Sequence, residues 1–149
     1  MVDVCNTCRR MVISENSVRD LFWVLDRNGR FYLGEGDLSI SFVSKKKMGT
    51  IHGQFLGDDL PTDVISFQGD PDLNFAGEIV VCLPYALGQS KIYGTTLGEE
   101  VKLYLVHGYL HLCGLEDKSE DEIQKMREGE YYCLNFLKDL PLRVSLKAQ

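Results

Sequence analysis

The residues best suited to chemistry are His107 and His111, followed by Gly114 and Asp117. A spacing of four on a helix puts two imidazoles on one face, with Cβ atoms roughly 5–6 Å apart. Two such rings can chelate one ion from the same side, as in zinc-binding helices. Gly114 lets the helix stop and the chain turn, so that Asp117 can return a carboxylate to the same ion. Three protein ligands with one open position are the arrangement of a catalytic zinc, not a structural one, and the chemistry it suits is hydrolysis. Asp117 has a second reading, as a loop residue ahead of a helix start at Ser119, with Glu116 as the substitute ligand.

These side chains need a helix to carry them and a fold to hold that helix. Leu97 to Cys113 reads as the strongest helix of the chain, with Leu103, Val106, Leu110 and Cys113 as its apolar face and Gly114 as its terminator. Ser119 with Glu122 forms a capping box for a following helix, whose Ile123, Met126, Tyr131, Leu134 and Leu137 are expected to pack inward. Upstream, Ser14 caps a helix to about Arg27 along the stripe Val18, Leu21, Phe22 and Leu25, and Asn28-Gly29 ends it. Leu38, Ile40 and Phe42 alternate with serines, which predicts a half-buried strand. A helix is expected over Lys45–Phe55. The β-branched runs Val64–Phe67 and Ile79–Cys82 flank a turn-rich segment and fit an antiparallel pair. The pattern is α+β, a single domain over 1–149 with a small mixed β-sheet packed against helices.

Composition narrows the function. The chain has 149 residues, enough for one core, and a net charge of −6. That charge argues against a broad nucleic-acid footprint and leaves room for a local one, for which Lys45, Lys46 and Lys47 are the candidates. No apolar run is long enough to span a membrane. Met1–Met11 lacks the apolar core of a signal peptide, and five cysteines form no regular disulfide pattern, so the expected compartment is the cytoplasm. Cys5 and Cys8 are a C-x2-C pair without a second pair, a weak metal signal.

Three blocks carry a family resemblance. The segment His107-Gly108-Tyr109-Leu110-His111-Leu112-Cys113-Gly114-Leu115-Glu116-Asp117 resembles H-G-x-L-H-L-x-G-Y-D-H, the signature of the YbeY endoribonucleases. Pro61-Thr62-Asp63-Val64-Ile65-Ser66-Phe67 resembles that family's P-T-D-V-L-S-F, and Ala76–Cys82 its L-G-D-I-V-I-C. The likeness runs from about Ser14 to Leu137. It implies a zinc-dependent enzyme that cleaves single-stranded RNA, with roles in 16S rRNA 3′-end processing, ribosome maturation and quality control on the small ribosomal subunit. It matches His107 and His111 to two of three metal histidines.

Two departures stand out. Asp117 occupies the third histidine's place, which keeps a competent ligand but cancels part of the metal's charge and opens the site to a divalent ion other than zinc. Phe55-Leu56-Gly57-Asp58-Asp59 stands where many members have Y-R-x-K-D, so an arginine and a lysine are missing. A ribosome-assembly factor with weak or lost catalysis is therefore the rival reading. A metalloprotease is more distant. The H-x3-H-x2-G-x2-D spacing resembles the metzincins, but Gly108 stands where those enzymes carry their glutamate base. Asp63 is a candidate to orient a metal-bound histidine from behind, or else to cap the turn into its strand.

Overall fold

The computed structural model describes residues 1–56 and 63–147, with the backbone alone at 55 and 56. In chain order it runs β1 (Val2–Asn6), β2 (Met11–Ile13), α1 (Glu15–Leu25), β3 (Asp37–Val43), α2 (Lys45–Leu56), β4 (Val64–Asp70), β5 (Phe75–Cys82), α3 (Leu83–Tyr93), α4 (Leu97–Leu112), α5 (Glu120–Phe136) and β6 (Val144–Leu146). Four strands form a mixed sheet in the order β1-β3-β5-β4, and β2 pairs with β6 in a separate antiparallel ribbon. β1, β3 and β5 are parallel, and β4 returns antiparallel to β5 as the β-branched runs predicted, with Ile65 opposite Val80 and Ser66 opposite Ile79.

The period-2 alternation of β3 sorts its side chains onto two faces. Leu38, Ile40 and Phe42 join Ile79 and Val81 in the main core, which α1, α4 and α5 cover. Val43, Val80 and Cys82 face a smaller cluster with Met48 of α2 on the opposite side. Ser39 and Ser41, predicted to face outward, share that second face and both donate to Glu78 Oε2, at 3.3 and 3.2 Å.

α4 departs from the single apolar face read in its sequence. Val101, Tyr104, Leu105, Val106, Tyr109, Leu110 and Leu112 are all buried, whereas Leu103 and Cys113 are only half-buried. The helix lies between the sheet, α3 and α5, so most of its circumference has a partner. Its start carries a capping box, Thr96 with Glu99, that sequence reading passed over.

α5 begins at the predicted Ser119 capping box, but its inward line differs. Met126, Gly129, Cys133 and Leu137 face the core, while Ile123 is 40% and Tyr131 77% exposed. Small residues select that line. A Cβ on Gly129 would lie 3.2 Å from Leu110 Cδ1 of α4 and 3.2 Å from Phe31 Cζ, so α5 packs closely on α4 there. That approach brings the next residue of α5, Glu130, up to the histidine face of α4.

Candidate metal centre

α4 is fixed against β4 and β5 by contacts to its backbone. Ser66 Oγ donates to Gly108 O at 3.1 Å, and Gln68 Nε2 donates to His111 O at 3.0 Å. Gly108 faces the sheet at the closest point. A Cβ there would stand 2.7 Å from Ile79 Cγ2 and 3.1 Å from Ser66 Oγ. Gly108, at the place of a protease glutamate, thus sits where any side chain would force Ile79 or the helix to shift.

α4 ends in a Schellman motif. Leu115 N–H donates to Leu110 O at 3.0 Å, Gly114 N–H donates to His111 O at 3.0 Å, and Gly114 adopts φ +104°. This turn sends the chain back across the helix end and aims the Leu115 carbonyl at His111, whose Nδ1 lies 2.9 Å from it. His107 Nδ1 lies 2.7 Å from Glu130 Oε2, contributed by α5.

These partners assign the ring protons. A carbonyl oxygen and a carboxylate only accept, so each Nδ1 carries its hydrogen and each Nε2 presents a lone pair. The two Nε2 atoms are 3.0 Å apart, and Asp117 Oδ2 sits 3.4 Å from His107 Nε2 and 3.3 Å from His111 Nε2. Three acceptors therefore face one another without a donor. That arrangement calls for a cation or a proton between them. Tetrahedral ligation with bonds of about 2.0–2.1 Å would separate ligand atoms by roughly 3.3 Å. The three residues fit such an ion, and their ligand atoms all lie within 4.8 Å of one another.

The centre opens into a cleft of about 350 Å³. Asp63, Asp117, Glu130 and Arg127 supply its polar lining, and Leu103, Tyr104, Ile123 and Met126 an apolar wall. His107 and His111 are largely buried, and Asp117 is 40% exposed on the solvent side. Burial pulls the His107 pKa down. The Glu130 hydrogen bond and charge, then Asp117 and Asp63, outweigh it and hold His107 above the ordinary imidazole range. Burial pushes the neighbouring Cys113 thiol up to about 12, which leaves it a packing residue.

The chain has relatives among known proteins. Residues 10–138 match the family described as endoribonuclease YbeY. The chain belongs to the YbeY family. The endoribonuclease YbeY of Halalkalibacterium halodurans is 34% identical over 125 residues, covering 75% of this chain and 79% of that protein. That of Carboxydothermus hydrogenoformans is 33% identical over 138 residues, covering 91% and 90%. The solution structure of a Thermotoga maritima protein has the same fold, with a TM-score of 0.62 at 22% identity over 93% of both chains.

Asp117, the candidate third ligand, brings its carboxylate to both Nε2 atoms. Glu116 is not part of the group. Asp63, a candidate either to orient a histidine from behind or to cap the turn into its strand, lines the cleft, and its Oδ1 accepts from Val64 N–H at 2.7 Å as the strand begins. The carboxylate behind His107 is Glu130, which sequence reading missed. Its one available signal was a glutamate on the inward side of α5, visible only once Gly129 and Cys133 are known to face the core. Lys45, Lys46 and Lys47 are exposed at the start of α2, on the opposite face of the sheet from α4. Lys47 lines a separate groove with Glu78 and Phe67. The Leu56 side chain and Gly57–Asp59, where the family arginine and lysine were missed, lie outside the described residues. Cys5 is exposed, Cys8 is buried, and neither joins the group.

Proposed function

We propose that this chain is a metal-dependent endoribonuclease of single-stranded RNA, with one Zn²⁺ held by His107, His111 and Asp117 and residues 1–149 acting as one metallohydrolase domain. The observation that carries the reading is the convergence of three acceptor atoms, His107 Nε2, His111 Nε2 and Asp117 Oδ2, with both imidazoles already bonded through Nδ1 on their far side. Family membership supplies the substrate class, since the relatives are named endoribonucleases.

When bound, the ion supplies Lewis acidity toward a phosphoryl oxygen and acidifies water near it. The chain's own residues do the rest. Glu130 and the Leu115 carbonyl hold the two imidazoles in the tautomer that leaves Nε2 free to ligate. Asp117, the most exposed of the three, would complete the ligand set for the ion beside the cleft. The apolar wall of Leu103, Ile123 and Met126 offers a surface for a base or ribose beside the phosphate. With Gly108 packed on Ile79, no protein base stands where a metzincin glutamate would, and the protease reading has no proton acceptor there.

The biological role that follows is 16S rRNA 3′-end processing in ribosome maturation and quality control, in the cytoplasm, on the small ribosomal subunit. Lys45–Lys47 form a second candidate RNA contact, remote from the cleft. No helix among the described residues is long and apolar enough to cross a membrane. A ribosome-assembly factor with weak catalysis is the second reading, favoured by the carboxylates Asp63, Asp117 and Glu130 around one cleft, which disfavour a phosphodiester. Cleavage of a labelled single-stranded RNA, with and without chelator and beside His111→Ala, separates the two. Chelator-sensitive cleavage lost in the variant supports the nuclease. Cleavage equal in the variant, or none with any divalent metal, overturns it.

A further inference from the structure

We infer that Arg127 is the phosphate-contacting cation of the cleft, the group that lets an anionic RNA strand approach a centre surrounded by carboxylates. The inference rests on the nuclease reading and adds a substrate-binding residue to it. Three carboxylates, Asp63, Asp117 and Glu130, line the cleft against neutral imidazoles. One divalent ion leaves that set net negative, and a phosphodiester brings a further negative charge to it. Among the described residues lining the cleft, Arg127 is the cation that offsets it.

Its placement suits the task. Arg127 lies three residues before Glu130 on α5, so both project from one face of that helix. Glu130 is tied to His107, whereas Arg127 is exposed and makes no ion pair among the described residues. Its neighbours Met126, buried, and Ile123, partly exposed, form the apolar wall, so a strand following the cleft would pass a base or ribose surface and then the guanidinium. A guanidinium can hold a phosphate through two parallel N–H donors and cannot lose its charge at working pH.

The test is RNA binding by the zinc-loaded full chain, read by fluorescence anisotropy. The probe is a labelled single-stranded oligonucleotide with 2′-O-methyl sugars, titrated at several KCl concentrations. Arg127→Ala is expected to weaken binding about tenfold at low salt. It should also reduce the slope of log K against log salt by about 0.7, the value for one lost phosphate contact on a single strand. Arg127→Lys should restore the slope because the point charge returns. Zinc affinity should be the same in all three proteins. Lys125→Ala, which removes an exposed cation of α5 outside the cleft lining, should leave the slope near that of the wild type.

An unchanged slope in Arg127→Ala, or an equal loss in Lys125→Ala, overturns the inference while leaving the nuclease reading intact. Wild-type protein that binds zinc but no RNA overturns both. Wild-type binding without cleavage of the matching unmodified RNA, with the slope lost in Arg127→Ala, supports the RNA contact and removes only the nuclease.

Discussion

Replacing Glu130 probes the centre from behind its ligands. Glu130 Oε2 lies 2.7 Å from His107 Nδ1, at the short end for a charge-assisted bond, and the glutamate side chain is only 13% exposed. Glu130→Gln keeps an acceptor oxygen in place and removes the charge. The difference between a charge-assisted and a neutral hydrogen bond is about 1–1.5 kcal/mol, so zinc affinity should fall about tenfold. Glu130→Ala removes the acceptor as well and leaves the imidazole free to rotate. A loss of about 2–3 kcal/mol, or roughly a hundredfold, is expected, within the range found for groups behind metal-bound histidines. Zinc affinity would be measured by competition with a chromophoric chelator, well above the ordinary imidazole pKa of 6.5. Lowering the pH should narrow the gap between wild type and Glu130→Gln. The glutamate that strengthens the ligand also raises its pKa, so protons compete harder in the wild type. Wild-type affinity in both variants, with the circular dichroism unchanged, would refute the argument that Glu130 sets the tautomer and basicity of His107.

Three further outcomes are expected. In metal-free protein the raised His107 pKa contributes stability that is fully present below about pH 6.5 and lost as pH rises through the higher folded value. Urea denaturation across that window should show the loss, and Glu130→Gln should shrink it. Gly108→Ala should destabilise by about 1–3 kcal/mol in urea melts, because its Cβ would stand 2.7 Å from Ile79 Cγ2, although alanine favours the helix intrinsically. A stabilised Gly108→Ala would mean that α4 does not rest on β5 as described. Gly114→Ala meets open space but must hold φ +104°, so it should cost about 1–2 kcal/mol. It should also weaken zinc binding by disturbing the Leu115 carbonyl that orients His111, and a variant with native zinc affinity would argue against that link.

The local features of the site were legible in the chain itself. A helix through Leu97–Leu112, its glycine stop and the 107/111 pair follow from periodicity and backbone chemistry within a few turns. The Ser119 cap and the antiparallel pairing of β4 with β5 are equally local. Which side of each helix faces inward was not. α4 is enclosed by several partners, so its burial follows no single stripe, and α5 turns on Gly129 and Cys133 rather than on Ile123 and Tyr131. For the same reason Glu130 could not be singled out, because its partner is 23 residues away and the two meet only through the close approach of two helices. Sequence alone determined the types and spacing of the candidate ligands, since these depend on bonds along one helix and one turn. Tertiary packing decided their second partners, their tautomers and the charge around them, since these depend on which distant surfaces come into contact.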